Sequence, residues 1–176
     1  SLASLSHEIS DRTMTAFGFS KAYSVAGLQI GYLASSNKDM MERVKRIGRG
    51  ILRGTSTLSL AASKVMLSDA LTFYVKSALE HLHRVRDLTA HLLNEIEGIS
   101  CNDVEATYLT FPKIGKKSSS SQSMAEYLLE KARIAVEEGS RFGPSGGGHV
   151  RINFGTGQAI LTEAMSRMRK ALDELE

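Results

Sequence analysis

The sequence predicts a mixed α/β fold, and three patterns in it carry that prediction. Two short segments rich in apolar, β-branched and aromatic residues, 13–17 and 28–34, flank a connection that carries Lys21. A long stripe, Leu71, Val75, Leu79, Leu82, Val85, Leu88, Leu92 and Ile96, recurs every three or four residues and marks one face of a helix. Near the C-terminus a glycine-rich run leads into a strand-like segment, 149–154, and then into an amphipathic one, 158–175.

Taken in order, residues 13–17 form a first strand, with apolar character continuing to Phe19 so that the segment reads as buried. Residues 28–34 form a second strand. Asn37 is a suitable N-cap for a helix running to about Arg49. Gly48, Gly50 and Gly54 punctuate the next stretch, so 50–59 reads as irregular chain before a helix over 60–67. The striped helix spans 71–96 and is ended by Gly98. Residues 100–104 and 107–113 read as a strand pair around a short turn, and 116–121 as a polar loop. Ser123 and Glu126 have the spacing of a capping box that opens a helix to Ala132. Residues 134–136 and 149–154 read as strands, and 158–175 as the closing helix. The part from about Ala78 onward is thus a small α+β layer structure.

With 42% hydrophobic residues among 176, the chain can bury a proper core. No uninterrupted apolar run reaches bilayer length, and the first residues show neither a basic region nor a cleavage pattern, so the expectation is a cytoplasmic protein. One cysteine, Cys101, excludes an internal disulfide framework and reads as a small buried hydrophobe. The formal net charge is +3, with acidic residues spread along the helical segments, which points away from nucleic acid as a partner. The cluster Lys45, Arg46, Arg49 and Arg53 has no interleaved aromatics and reads as a solvated helix face. His81, His83 and His91 lack the spacing and acidic partners of a helical metal site, and no metal is expected.

Two segments carry chemistry. Lys21 follows Ser20 at the end of a strand, where an amine that loses hydration becomes nucleophilic enough to form a Schiff base; taken alone, a solvated structural lysine is the plainer reading. Arg151 lies on the predicted strand 149–154, where its planar fork can hold a carboxylate through two hydrogen bonds; an edge-strand arginine paired with a surface carboxylate is the plainer reading. Tyr108, on a half-buried strand, can line a pocket or simply pack.

The string from Phe19 to Tyr32, with Ser20, Lys21, Gly27, Leu28, Ile30, Gly31 and Tyr32 in order, resembles the cofactor-attachment segment of the class I and II aminotransferases, the fold type I pyridoxal-phosphate (PLP) family, in its aspartate aminotransferase-like form. The block Arg141 to Phe154 resembles the family's glycine-rich segment and the strand after it. The resemblance implies that residues 1–77 are the C-terminal part of a large PLP-binding domain and 78–176 a small α+β domain, the family's first half having no counterpart here. It implies that Lys21 attaches PLP and shuttles a proton, that Ser20 holds the cofactor phosphate, and that Arg151 grips the substrate α-carboxylate. Gln29 stands where the family usually has an arginine for that phosphate, and keeps an amide donor without the charge. The implied reaction moves an amino group between an amino acid and a 2-oxo acid, in a homodimer with sites shared between subunits. Residues 53–57 correspond by position to a loop that, in the family's dimers, reaches toward the cofactor of the other subunit. Because the family's partner for the pyridine nitrogen lies upstream of Ser1, the chain by itself is expected to be inactive. A non-catalytic homologue and a related PLP lyase are the alternative readings.

Overall fold

The computed structural model describes residues 1–49, 54–116 and 122–175. Of the sequence expectations, residues 50–53, with Arg53 among them, and 117–121 of the polar loop lie outside the described residues. The chain divides into two compact units, Ser1–Lys76 and Ser77–Glu176.

In the first unit a short helix, α1 (His7–Asp11), precedes strands β1 (Thr15–Gly18) and β2 (Gly31–Ala34). The strands pair antiparallel, Thr15 opposite Ala34 and Gly18 opposite Gly31. A one-turn helix, α2 (Phe19–Ala22), and a 3-10 turn (Ala26–Leu28) make the connection between them. The expectation of a buried first strand is not met, since every residue of β1 and β2 is exposed. Apolar patterning says what a strand can bury, but burial needs an opposing layer. The rings cover each other instead. Phe17 meets Tyr32 across the ladder at 5.3 Å, and Phe19 is buried beneath Phe17, Tyr23 and Tyr32.

Helix α3 (Lys38–Gly48) starts at Asn37 as the sequence predicts, the Asn37 side chain accepting a 2.9 Å hydrogen bond from the Met40 amide. Helix α4 (Thr57–Met66) begins earlier than expected, its first helical bond running from the Leu60 amide to the Ser56 carbonyl at 2.9 Å. The long striped helix α5 (Thr72–Asn94) crosses the division between the units.

The second unit holds most of α5, followed by β3 (Ile99–Ser100), β4 (Leu109–Thr110), β5 (Lys113–Ile114), α6 (Met124–Ala132), β6 (Glu137–Glu138), β7 (Val150–Asn153) and α7 (Gln158–Asp173). Its core joins Val85 and Leu93 of α5 to Leu128, Val150, Phe154, Leu161, Met168 and Leu172, each at most 2% exposed. Burying one such aliphatic side chain contributes roughly 1.5–3 kcal/mol.

The strand arrangement here departs from the sequence reading. The segments 100–104 and 107–113 pair only at their outer ends, Ser100 opposite Lys113 where β3 meets β5, while β4 pairs with β7 in a sheet ordered β4-β7-β6. Pro112, fully buried between β4 and β5, explains the switch. It has no N–H to continue a ladder, and its carbonyl instead accepts from the Val150 amide at 3.1 Å. The strand expected over 134–136 is also displaced. Arg133 ends α6 in the left-handed conformation at φ 57°, and pairing starts only at Glu137, opposite Arg151.

Candidate functional site

Lys21 sits on the one-turn helix α2, not on the open loop expected from the sequence. Gly18 leads into that turn, the buried ring of Phe19 pins it, and the Tyr23 and Val25 amides close it on the Phe19 and Ser20 carbonyls at 3.0 and 3.1 Å. With Phe19 facing inward, Ser20 is half-buried and Lys21 is exposed. Gln29, also exposed, adopts the left-handed conformation at φ 46° and ψ 45°, its amide donating to the Ala26 carbonyl at 3.2 Å. Ser20, Lys21 and Gln29 therefore lie on one connection between two paired strands.

Two residues that sequence reasoning passed over hold this connection in place. Ser59, at 3% exposure on α4, donates to the Leu28 carbonyl at 2.7 Å, next to the Gln29 kink. Tyr23 donates from its hydroxyl to the Met66 carbonyl at the end of α4, also at 2.7 Å. Both bonds cross more than thirty residues of sequence, so no local pattern announces them.

Arg151 lies on β7, the central strand of its sheet, not on an edge. Its guanidinium pairs through Nη2 with the Glu137 carboxylate, directly opposite in register on β6. The flat face rests over the Phe142 ring, 4.4 Å from its centre. Phe142 in turn meets Phe111 edge-on at 5.9 Å, and Phe111 stacks on His149 at 5.0 Å. Glu137 and Phe142 are the neighbours sequence reasoning missed. The one signal for Glu137 was a pair of acidic residues, Glu137 and Glu138, between an apolar run and the glycine-rich block.

Tyr108 precedes β4 and packs, half-buried, against the core of the second unit, its carbonyl accepting from the Phe154 amide at 3.0 Å. Cys101 is only partly buried, against expectation: its Sγ lies 2.8 Å from Thr110 Oγ1 at the wall of a cleft of about 360 Å³ that Asp87, Asn102 and Asp103 also line. A short β3 that ends at Ser100 leaves Cys101 beyond the strand, lining this cleft. Of the basic cluster, Lys45 is paired with Glu42 at 2.8 Å on the exposed face of α3.

Residues 2–168 match the family model of aminotransferase class I and II. The chain belongs to that family. It is 34% identical to an aspartate aminotransferase of Rhizobium meliloti strain 1021 over 98% of its own length and 44% of that protein's. To an aspartate aminotransferase of Pyrococcus horikoshii it is 29% identical over 93% of its length and 42% of the relative's. Among solved structures it superposes on a PLP-dependent β-cystathionase, so described, of Corynebacterium diphtheriae with a TM-score of 0.87 at 29% identity, covering 99% of this chain and 46% of that one. The family named by the Lys21 and Arg151 segments is thus the one found, with the fold that it implies. The chain spans less than half the length of these relatives.

Proposed function

We propose that this chain serves as the C-terminal part of a PLP-dependent aminotransferase that moves an amino group between an amino acid and a 2-oxo acid. The observation that carries the reading is the Lys21 connection: an exposed lysine next to a half-buried serine, on a turn fixed by Phe19 and by Ser59. Amine, hydroxyl and the Gln29 amide make a donor set that fits an aldehyde-bearing phosphate ester.

PLP, when bound, supplies an electron sink for the bond broken at the substrate Cα. Lys21 would hold the cofactor through its Nζ and, once released by the substrate amine, would take the proton from that carbon and pass it on to the cofactor. Ser20 donates its hydroxyl to a phosphate oxygen. Gln29 offers the phosphate a neutral amide, a weaker grip than a guanidinium would give. Arg151 holds the substrate α-carboxylate and so fixes which Cα bond stands ready to break. Residues 1–77 act as part of the large PLP-binding domain and 78–176 as the small domain, in a cytoplasmic homodimer, and the chain alone does not turn over. Among the described residues no single helix is long and apolar enough to cross a membrane.

The test is to mix the chain with PLP, record the visible spectrum, reduce with borohydride and map the labelled peptide. A label confined to Lys21, and lost in Lys21→Ala, supports the reading; a label scattered over surface lysines, in the chain and in the full-length protein alike, sinks it. A PLP lyase is the second reading, supported by the β-cystathionase likeness. The full-length protein separates the two: ping-pong exchange between an amino acid and a 2-oxo acid marks the aminotransferase, and steady release of ammonia marks the lyase.

A further inference from the structure

The surroundings of Arg151 bear on how a carboxylate reaches it. The residue is on a central strand, its guanidinium face is seated on Phe142, and Phe142 is braced through Phe111 to His149. The cation is thereby held in one orientation. Its Nη2 is engaged by Glu137, whose own backbone is held opposite Arg151 in the ladder. The adjacent Glu138 is committed elsewhere, accepting from the Ala125 amide at the start of α6 at 3.2 Å.

A guanidinium receives a carboxylate bidentately through Nη1 with Nη2, or through Nε with Nη2, so each fork uses one N–H of the nitrogen that Glu137 contacts, and a substrate carboxylate in either lies beside that of Glu137. A second carboxylate joining the first would place two like charges on one cation. The two side chains are partly exposed, 34% for Arg151 and 45% for Glu137, while the Glu137 Oε2 at the contact is itself buried.

We propose that Glu137 is a positioning residue that acts through Arg151: a tethered carboxylate that stands in for the substrate's, must be exchanged when substrate arrives, and so sets how weakly the site binds carboxylates. This rests on the assignment of Arg151 to the substrate α-carboxylate. A stabilising ion pair and a competing one predict opposite signs when Glu137 is removed, and that makes the proposal testable.

The experiment titrates the ¹⁵N-labelled chain with sodium propionate, following the Arg151 Nε–H and the backbone amides of β7, in the native sequence and in Glu137→Gln, Glu137→Thr and Arg151→Gln. Threonine suits a strand position, so one of the two Glu137 variants keeps the sheet if the other does not. The expected result is propionate binding about two- to five-fold tighter in the Glu137 variants, the worth of a partly exposed ion pair, and lost in Arg151→Gln. If Arg151→Gln abolishes binding while the Glu137 variants bind equally or more weakly, Glu137 is only structural and the proposal falls with the Arg151 assignment intact. If Arg151→Gln binds propionate as the native chain does, the assignment itself is wrong and the proposal goes with it.

Discussion

The Tyr127 hydroxyl donates a 2.8 Å hydrogen bond to the carbonyl of Ala171, tying α6 to the last turns of α7 inside the second unit. The ring is 6% exposed and packs among Leu128, Met168 and Leu172. Tyr127→Phe keeps the ring and strands the carbonyl, so unfolding in urea is expected to show a loss of about 1–2 kcal/mol. Burial, with Glu174 and Glu130 nearby adding to it against Lys131, raises the Tyr127 pKa above the ordinary phenol value. A raised acid keeps its proton in the folded state while the unfolded chain loses it. Stability is therefore complete below about pH 10 and falls as pH rises from there through the folded value. Tyr127→Phe should flatten that alkaline fall.

Ser123 and Glu126 form the reciprocal cap that their spacing predicts, the Ser123 hydroxyl accepting from the Glu126 amide at 3.3 Å and the Glu126 carboxylate accepting from the Ser123 amide at 3.0 Å. Ser123→Ala is expected to cost about 1 kcal/mol in the same unfolding measurement. The backbone bond from Ser123, then its hydroxyl, lower the Glu126 pKa, and a hydrogen bond from Arg169 is the leading cause of a lowered Glu95. Lowered carboxylates contribute stability above the ordinary range near pH 4.5 that disappears as pH falls through their folded values. An acid titration of Ser123→Ala should show a smaller share of that loss.

Gly139 and Gly146 approach so closely that a Cβ on either would run into the backbone carbonyl of the other. Backbone cannot yield as a flexible side chain can. Gly146→Ala is expected to destabilise the second unit by about 2–4 kcal/mol, visible as a lowered Tm, and to broaden the NMR signals of β6 and β7.

Gln29 adopts φ 46°, and an arginine there carries the same Cβ strain as the glutamine. Gln29→Arg should therefore leave folding unchanged and add a charge-assisted hydrogen bond to a phosphate. The dissociation constant of PLP from the full-length protein is expected to fall about ten-fold. An unchanged constant would mean that Gln29 does not face the phosphate.

Ser59→Ala removes the bond that holds the Leu28 carbonyl and leaves that acceptor beside a buried methyl group. A loss of about 1–2 kcal/mol is expected, together with faster amide exchange over residues 26–30.

Helix positions and caps were legible because they are local. Asn37 before α3, the Ser123 and Glu126 box before α6, and the three- and four-residue stripe of α5 each act within a turn or two of chain. The same holds for Lys21 and Arg151, whose flanking strings carry the family's order. Strand partners were not legible. A run such as 107–113 shows that it can lie in a sheet, but its neighbour is chosen by where Pro112 interrupts the ladder and by what Val150 and Ile152 offer across it.

By itself, the sequence determined the helices from α3 to α7 in their order, the family, and the placing of an amine, a hydroxyl and an amide on one connection, because periodicity, capping and motif order are properties of neighbouring residues. Only the tertiary structure decided that β4 turns to β7 instead of β3, that Gly139 and Gly146 are indispensable to each other, and that Arg151 already has Glu137 opposite it. Those are contacts between residues far apart in the chain, settled by packing and hydrogen-bond satisfaction in three dimensions, and no local pattern encodes them.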